Sequence, residues 1–232
     1  MAADASGNVY LTGITRDIEF PVSPGAFQVN PNGASLGNVI VVKMNASGTG
    51  VTYITHFGGA NLDYGTGIAV DGVGNVYLAG GTESENFPVT TGALKTTFTS
   101  QNPGASHCFV AKLNAGGNAL VYSTYLGGRG TEQCYGIAVD GVGNAFVTGR
   151  TSSTNFPVTE GAPQANYRGG VTQLKVGGSN LNYLASDAFV TKLNPTGTAI
   201  VYSTFYGGSS NDLGSAIAVD GAGNAFVTGV TN

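Results

Sequence analysis

The chain has 232 residues, of which 41% are apolar and only 9% charged, with a formal net charge of -4. This apolar fraction argues against disorder, which requires low hydrophobicity and high net charge. The nine basic residues are spread thinly, so we expect no nucleic-acid binding. No apolar run approaches the length of a membrane span, so we expect no membrane insertion.

Four short motifs recur in a fixed order along the chain. The first, Asp71–Gly80, returns roughly 70 residues later at Asp140–Gly149, in the length range of known repeat units. Its other copies are Asp4–Gly13 and Asp220–Gly229. The other three motifs, in the second unit, are Asn86–Ala93, Ala111–Asn114 and Tyr122–Gly128. Four ordered motifs that each return at least twice indicate a tandem repeat.

Each unit contains four strand-like runs, and in the second unit these are Gly67–Val70, Asn75–Gly80, Cys108–Leu113 and Ala119–Leu126. Asp and Gly between the first two runs favour a tight hairpin turn. Helical spacing of apolar residues is not sustained anywhere. The pattern predicts an all-β fold of four-stranded antiparallel units, and radial stacking of such units into a β-propeller buries the faces between neighbours. A solenoid is the rival architecture, but its repeats are usually shorter and its strands parallel.

The motifs together resemble the SBBP repeats, a bacterial β-propeller repeat family. They read D-x-x-G-N-x-[YF]-[VL]-[TA]-G, N-F-P-V-T-x-G-A, [VA]-x-K-L-N and Y-[SI]-T-x-[LFY]-G-G, and they cover essentially the whole chain. The resemblance implies a propeller in a large secreted or surface protein, without a catalytic motif to carry over. We therefore expect an extracellular or cell-surface location.

We predict one repeat domain over 1–232, with units at about 1–66, 67–136 and 137–215 and a partial unit at 216–232. Three blades and half a fourth fall short of the usual four to eight blades. We favour the interpretation that further blades complete the propeller. Alternatively, the strands in Ala216–Val230 could pair with the first unit of another copy, closing a ring or building a filament. The open ends predict self-association in both cases.

The beginning of the sequence supports the interpretation as a fragment or mature form. Met1 to Asp4 lack the basic region and the apolar stretch of a signal peptide. The first repeat motif follows at once. The start therefore says little about the compartment.

The recurring acids of the turns are the strongest metal candidates. They are Asp4, Asp71, Asp140 and Asp220. A calcium loop needs several oxygen ligands at alternating positions and a late bidentate acid, and these turns offer only Asp and Asn. We expect turns in which Asp binds its own backbone, with calcium as the alternative and no other cofactor.

The recurring lysines and tyrosines allow a structural and a binding interpretation. The lysines are Lys43, Lys112 and Lys192, and the tyrosines are Tyr53, Tyr122 and Tyr202. We expect the lysine stems to cover apolar surface and the tyrosine rings to pack between blades. An anion-binding channel and a sugar-binding platform are the alternatives.

The two histidines depart from the repeat. His56 corresponds to Tyr125 and Phe205, and His107 corresponds to Asp187. No His-x-His or His-Glu pattern suggests zinc, and neither histidine has a nucleophile motif nearby. A dyad formed across blades is the alternative to a chain without catalytic residues, and we expect no enzyme.

The two cysteines, Cys108 and Cys134, are assigned to the second unit. In an up-and-down blade, the start of the third strand and the end of the fourth lie at one edge. The cysteines could therefore form a disulfide, which would favour a secreted setting. Two buried thiols are the alternative.

The segment between the second and third strands varies most, and in the third unit it is longest. Variable insertions on a rigid repeat are where recognition usually occurs. We therefore expect a recognition surface within residues 166–182, with Tyr167, Arg168, Lys175 and Asn180 as its candidates.

The leading hypothesis is a non-enzymatic extracellular scaffold or binding module that acts in adhesion, surface architecture or protein assembly. Expected partners are further blades, other copies of the chain, glycans or surface proteins. A carbohydrate-binding or carbohydrate-active propeller is one alternative, and it would require carboxylates grouped on one propeller face. A self-assembling ring or filament subunit is the other.

Overall fold

A computed structural model describes residues 1–32, 36–99, 104–176 and 179–232, with the backbone alone for 172–176 and 179–183. The described residues form β-strands, turns and loops, and contain no helix. None of them therefore offers a helix that could cross a membrane.

The strands form three four-stranded antiparallel sheets, which are the blades, and a final two-stranded half-blade. Blade 1 contains β1 (Ala2–Ala3), β2 (Val9–Thr15), β3 (Asn38–Met44) and β4 (Val51–Phe57). Blade 2 contains β5 (Asp63–Val70), β6 (Val76–Thr82), β7 (His107–Leu113) and β8 (Leu120–Leu126). Blade 3 contains β9 (Glu132–Val139), β10 (Ala145–Thr151), β13 (Asp187–Leu193) and β14 (Ile200–Tyr206). The half-blade contains β15 (Asp212–Val219) and β16 (Ala225–Thr231).

Each complete blade is an up-and-down meander, which confirms the predicted propeller blade. In blade 2 the hydrogen-bonded order is β5-β6-β7-β8. The turn from β5 to β6 closes when Gly74 N–H donates to the carbonyl of Asp71 over 3.0 Å. Gly74 takes a φ of 88°, a left-handed conformation that glycine adopts without steric cost.

The blades pack face to face through aromatic side chains. Phe87, from the Asn-Phe-Pro-Val motif between β6 and β7, is 2% exposed. Its ring centroid lies 4.6 Å from that of Phe57 in blade 1 and 4.6 Å from that of Phe109 in blade 2. Phe87 therefore fills the space between two blades, and Phe156 has the same role in blade 3, where it packs against Phe189.

Blades 2 and 3 and the half-blade begin four or five residues earlier than the predicted units. Their first residues are Asp63, Glu132 and Asp212 instead of 67, 137 and 216. A β-bulge at Thr66 shifts the pairing of β5 with β6 between Gly65 and Gly67. Similar shifts occur in β9 and β15. Because a bulge breaks the alternation of side chains, the strand-like run in the sequence begins only after the bulge, at Gly67.

Blade 3 carries an inserted hairpin between its second and third strands. Its strands are β11 (Val171–Val176) and β12 (Ser179–Leu184), which pair from Val171 with Leu184 to Val176 with Ser179. The hairpin forms a separate two-stranded sheet. At its base, Ala185 N–H donates to the carbonyl of Gly170 over 2.8 Å.

The half-blade leaves apolar surface exposed. Within the described ranges, β16 pairs with β15 alone. Phe226 is 60% exposed and Val230 is 52% exposed, whereas the equivalent Phe146 in blade 3 is fully buried.

Candidate functional site

The acids of the turns bind their own backbone. Asp71 accepts the N–H groups of Val73 and Asn75 on Oδ1, over 3.2 and 2.8 Å, and the Asn75 side-chain amide on Oδ2 over 2.8 Å. The same bonds recur at the other three copies, Asp4, Asp140 and Asp220. The bond from the Asn224 side chain is the main cause that lowers the pKa of Asp220. Nitrogen donors thus occupy the carboxylates that were calcium candidates, and the calcium alternative stays a prediction.

The recurring lysines lie over aromatic rings of their own blades. Lys112 Nζ is 4.6 Å from the centroid of Tyr77 and 3.4 Å from Asp71 Oδ2. Lys192 repeats both contacts with Phe146 and Asp140. Lys112 and Lys192 therefore link the ring of the second strand to the acid of the turn, whereas among the described residues Lys43 is placed only over the ring of Tyr10, at 5.1 Å.

The recurring tyrosines pack under the next blade. A Cβ added to Gly197 in the turn of blade 3 would overlap the ring of Tyr122 in blade 2. Gly117 covers Tyr53 of blade 1 in the same way. Burial raises the pKa of both tyrosines far above the ordinary range. Tyr202 is only half-buried.

Cys108 and Cys134 form a disulfide, with 5.2 Å between their Cα atoms. The bond differs from the predicted one in its place. Cys108 lies in β7 of blade 2, whereas Cys134 lies in β9, the first strand of blade 3. The disulfide therefore links two blades instead of closing one, because the strand of blade 3 begins before the predicted boundary.

Three buried acids stand at the first position of β5, β9 and β15, and none of them was among the predicted site residues. They are Asp63, Glu132 and Asp212, with exposures of 0%, 0% and 3%. Each one follows a Gly-Gly pair by four residues, so the sequence signal is G-G-x-x-x-[DE], at 58–63, 127–132 and 207–212. This signal is visible in the sequence. The acids lie outside the predicted strand-like runs, however, so the sequence offered no reason to expect that their side chains are buried.

The Gly-Gly pairs fit these acids closely. Gly59 N–H donates to Asp63 Oδ2 over 2.7 Å, and Gly208 N–H donates to Asp212 Oδ2 over 2.8 Å. A Cβ on the preceding Gly58 would lie 2.7 Å from Asp63 Oδ2. The first glycine therefore leaves room for the carboxylate, and the N–H group of the second glycine donates a hydrogen bond to it.

Each acid meets a second polar side chain at the start of the third strand in the preceding blade. These side chains are Asn38, His107 and Asp187, all fully buried. His107 Nδ1 lies 2.8 Å from Glu132 Oε2. Thr99 N–H donates to His107 Nε2 over 3.3 Å. Nδ1 therefore carries the hydrogen atom, and this N–H donates a hydrogen bond to Glu132. We call the three pairs junction 1–2, junction 2–3 and junction 3–4, after the blades that they join.

A third residue approaches each junction from the segment between the second and third strands. Gln28 and Gln164 accept the N–H groups of Gly58 and Gly207 on their Oε1 atoms, over 3.0 and 3.1 Å. Lys95 takes the equivalent place at junction 2–3, where Nζ donates to the carbonyl of Gly127 over 2.9 Å. Burial lowers the pKa of Lys95.

Burial also raises the pKa of one acid at each of the other two junctions. It raises the pKa of Asp63 to about 6, although bonds from its neighbours act in the opposite direction. It raises the pKa of Asp187, with Asp212 as a further cause. Buried groups of this kind are typical of active sites but also of structural polar clusters.

The histidines do not provide an accessible catalytic group. His107 and Glu132 are fully buried, and the nearby Ser106 hydroxyl donates to the Glu132 carbonyl over 3.1 Å. His56 is also fully buried, and within the described residues neither of its ring nitrogens has a hydrogen-bond partner. Burial lowers the pKa of His56.

The structure describes the side chains of two of the four predicted recognition residues. Tyr167 donates its hydroxyl to the Ala185 carbonyl and packs its ring 5.9 Å from that of Phe205. Arg168 is exposed. Lys175 and Asn180 pair across the inserted hairpin, and their side chains lie outside the described residues.

A groove of about 900 Å³ runs between blade 3 and the half-blade. Gln164, Arg168, Tyr206, Asp212 and Val227 are among its lining residues. The groove therefore joins the base of the insert to the exposed face of β16 and to junction 3–4. The described residues contain no group of three or more His, Cys, Asp or Glu side chains placed to hold a metal.

The family model described as a beta-propeller repeat, SBBP, matches residues 50–88, 121–157 and 201–232. Each match begins at the last strand of one blade and continues through the first two strands of the next, so it includes one Gly-Gly pair and one buried acid. Three copies of this β-propeller repeat therefore lie in the chain, in agreement with the four-stranded blades of the fold. No curated protein matches it.

Proposed function

We propose that this chain is part of a non-enzymatic extracellular propeller that acts as a scaffold and binding module. The observation that carries the proposal is the inserted hairpin of blade 3. The recurring lysines, tyrosines and turn acids contact other residues of the blades. Among the described segments, the hairpin alone forms a sheet of its own between two strands of a blade. A variable feature on a rigid repeat is well suited to recognition.

The disulfide supports the extracellular part of the proposal. Disulfides persist in oxidising compartments and are rare in the cytosol. Cys108 and Cys134 lie buried between two blades, and the bond between them is of the kind that persists in such compartments. The test is to locate the protein in fractionated cells of its source organism and to count free thiols by alkylation. Recovery from the cytosol with two free thiols would contradict the location.

The recognition surface can be removed without opening the blade. Gly170 and Ala185 are joined by a hydrogen bond at the base of the hairpin, so deletion of residues 171–184 connects two neighbouring positions. The wild type and this deletion variant are compared on a glycan array and for adhesion to cells of the source organism. We expect the deletion to weaken binding by at least about tenfold.

A matched pair of single variants controls the deletion. Arg168→Ala removes an exposed arginine beside the hairpin, and Arg129→Ala removes an exposed arginine beside junction 2–3. Only Arg168→Ala should weaken binding. Equal binding by the wild type and the deletion variant would refute recognition by the hairpin. Glycan hydrolysis that is lost on substitution of an Asp or Glu would instead show a carbohydrate-active enzyme.

Self-assembly is a second candidate, because the half-blade exposes both an edge and an apolar face. Exposed strand edges readily pair with other chains. A double variant, Phe226→Lys with Val230→Lys, places two charges on this face. Val73→Lys is the control, since Val73 is exposed in a turn of blade 2. Light scattering after size exclusion should show association in the wild type and the control, and monomers in the double variant. A strictly monomeric wild type would refute this candidate.

A further inference from the structure

Junction 3–4 brings two buried acids together. Asp187 is fully buried and Asp212 is 3% exposed. Asp187 Oδ2 accepts the N–H of Arg168 over 2.8 Å and the side-chain amide of Gln164 over 3.1 Å. Asp212 Oδ2 accepts the N–H of Gly208. Within the described residues, Oδ1 of each acid has no hydrogen-bond partner. Each carboxyl group is therefore held by one oxygen and has the other free.

The two carboxyl groups converge on one point. A Cβ placed on Gly207 would lie 2.9 Å from Asp187 Oδ1 and 2.7 Å from Asp212 Oδ2. Two ionised carboxylates at such a place would repel each other in a poorly solvated environment. A buried oxygen without a partner adds a further cost. One proton shared between the two acids would reduce the charge repulsion and would also give the unpartnered oxygen a hydrogen-bond donor.

The other junctions show what is absent at junction 3–4. At junction 2–3, His107 occupies the position of Asp187 and donates an N–H to Glu132. At junction 1–2, the position holds Asn38, a neutral amide that can donate, although within the described residues neither its amide atoms nor Asp63 Oδ1 has a hydrogen-bond partner. An ionised aspartate has no hydrogen atom to donate. The residue that approaches from the segment between the second and third strands also differs. It is Gln164 at junction 3–4 and Lys95 at junction 2–3.

We propose that Asp187 and Asp212 share one proton, so that the contact between blade 3 and the half-blade is closed by an acid–carboxylate hydrogen bond. The proton comes from solvent, and one carboxyl group donates its O–H to the free oxygen of the other. The groove beside Asp212 provides a path for the proton. Loss of the proton leaves two facing carboxylates, which loosens the half-blade.

The charged groups around the pair are consistent with this device. Burial and the charge of Asp212 raise the pKa of Asp187, the backbone N–H groups of Arg168 and Gly169 lower it, and the net result is a rise. The Arg168 side chain acts in the opposite direction but is exposed. Tyr167 also faces Asp187, and its pKa is raised to about 12, mainly by burial. The docked state therefore binds more protons than the open state above the ordinary Asp pKa, so docking weakens as the pH rises.

The test follows amide hydrogen exchange of the half-blade from about pH 4 to about pH 8, a range that brackets a raised aspartate pKa. Rates are corrected for the intrinsic pH dependence of exchange. In the wild type, protection of β15 and β16 should fall with rising pH, by at most about tenfold per pH unit for one proton. Protection of β9 and β10, which lie beside junction 2–3, provides the internal reference.

Three variants decide whether the proton is shared. Asp187→Asn and Asp212→Asn each supply an amide donor and remove one charge, so each should reduce the pH dependence severalfold. Asp63→Asn changes junction 1–2 instead and should leave the half-blade unchanged. The proposal is overturned if protection is independent of pH in the wild type, or if Asp212→Asn keeps the full dependence. It is also overturned if calcium chloride restores protection at high pH, because a cation would then occupy the site.

Discussion

Junction 2–3 and junction 3–4 have the same backbone design but opposite chemistry. Both place an acid after a Gly-Gly pair at the start of a strand, and both face it with the first residue of the preceding blade's third strand. At junction 2–3 that residue is His107, which donates to Glu132, and a disulfide joins the same two blades. At junction 3–4 it is Asp187, and the described residues provide no cross-link. One side chain thus distinguishes a permanent contact from one that responds to pH.

The largest expected effect is at junction 2–3. His107→Ala leaves Glu132 buried without its partner, and the expected loss is about 3–5 kcal/mol of unfolding free energy. Urea unfolding measures it at neutral pH. The matched variant is His107→Asn, which reproduces the residue type of Asn38 and keeps a donor, so it should lose clearly less. Equal losses in the two variants would show that the bond to Glu132 is unimportant.

The disulfide should contribute the next largest effect. Replacement of Cys108 and Cys134 by serine opens a link between residues separated by 26 positions, and the expected loss is about 3 kcal/mol. Wild-type protein unfolded in the presence of a reductant should behave like the double variant. A loss below about 1 kcal/mol would mean that packing alone holds the two blades.

The Gly-Gly pairs can be tested at the two weaker junctions. Gly207→Ala places a Cβ within 3 Å of both acids of junction 3–4, and Gly58→Ala places one within 3 Å of Asn38 and Asp63 at junction 1–2. The expected loss is about 1–3 kcal/mol for each variant. Gly72→Ala is the control, because no atom lies within 4 Å of its Cβ position. Thermal unfolding should leave this control close to the wild type, and a similar loss in all three variants would contradict the explanation.

The smallest effect concerns the pH dependence of junction 1–2. Burial raises the pKa of Asp63 from 3.8 to about 6, so the folded state binds more protons between these values. Stability should therefore fall as the pH rises from about 4 to about 6, by up to about 2 kcal/mol for a net shift of this size. Asp63→Asn should remove this fall relative to the wild type in melting curves. An unchanged difference between the two proteins across this range would contradict the assignment to Asp63.

The sequence predicted the parts of the fold that depend on neighbouring residues. The four strands of a blade follow from alternation and turn chemistry, and the turn at Asp71 forms as expected, with Asp bound to its own backbone. Strand β5 begins at Asp63, before the strand-like run that starts at Gly67 in the sequence, because the bulge at Thr66 interrupts the alternation. The acid Asp63 lies before that bulge, and for this reason its burial was missed.

The sequence by itself determined the repeat, the four-stranded blade and the propeller class, because periodicity and turn preferences act over a few residues. Only the tertiary structure decided which side chains meet between blades. It joined Cys108 to the next blade, paired His107 with Glu132 and set Asp187 against Asp212. These contacts depend on where each strand begins and on how each blade packs against the next. Identical motifs therefore surround three junctions whose chemistry differs.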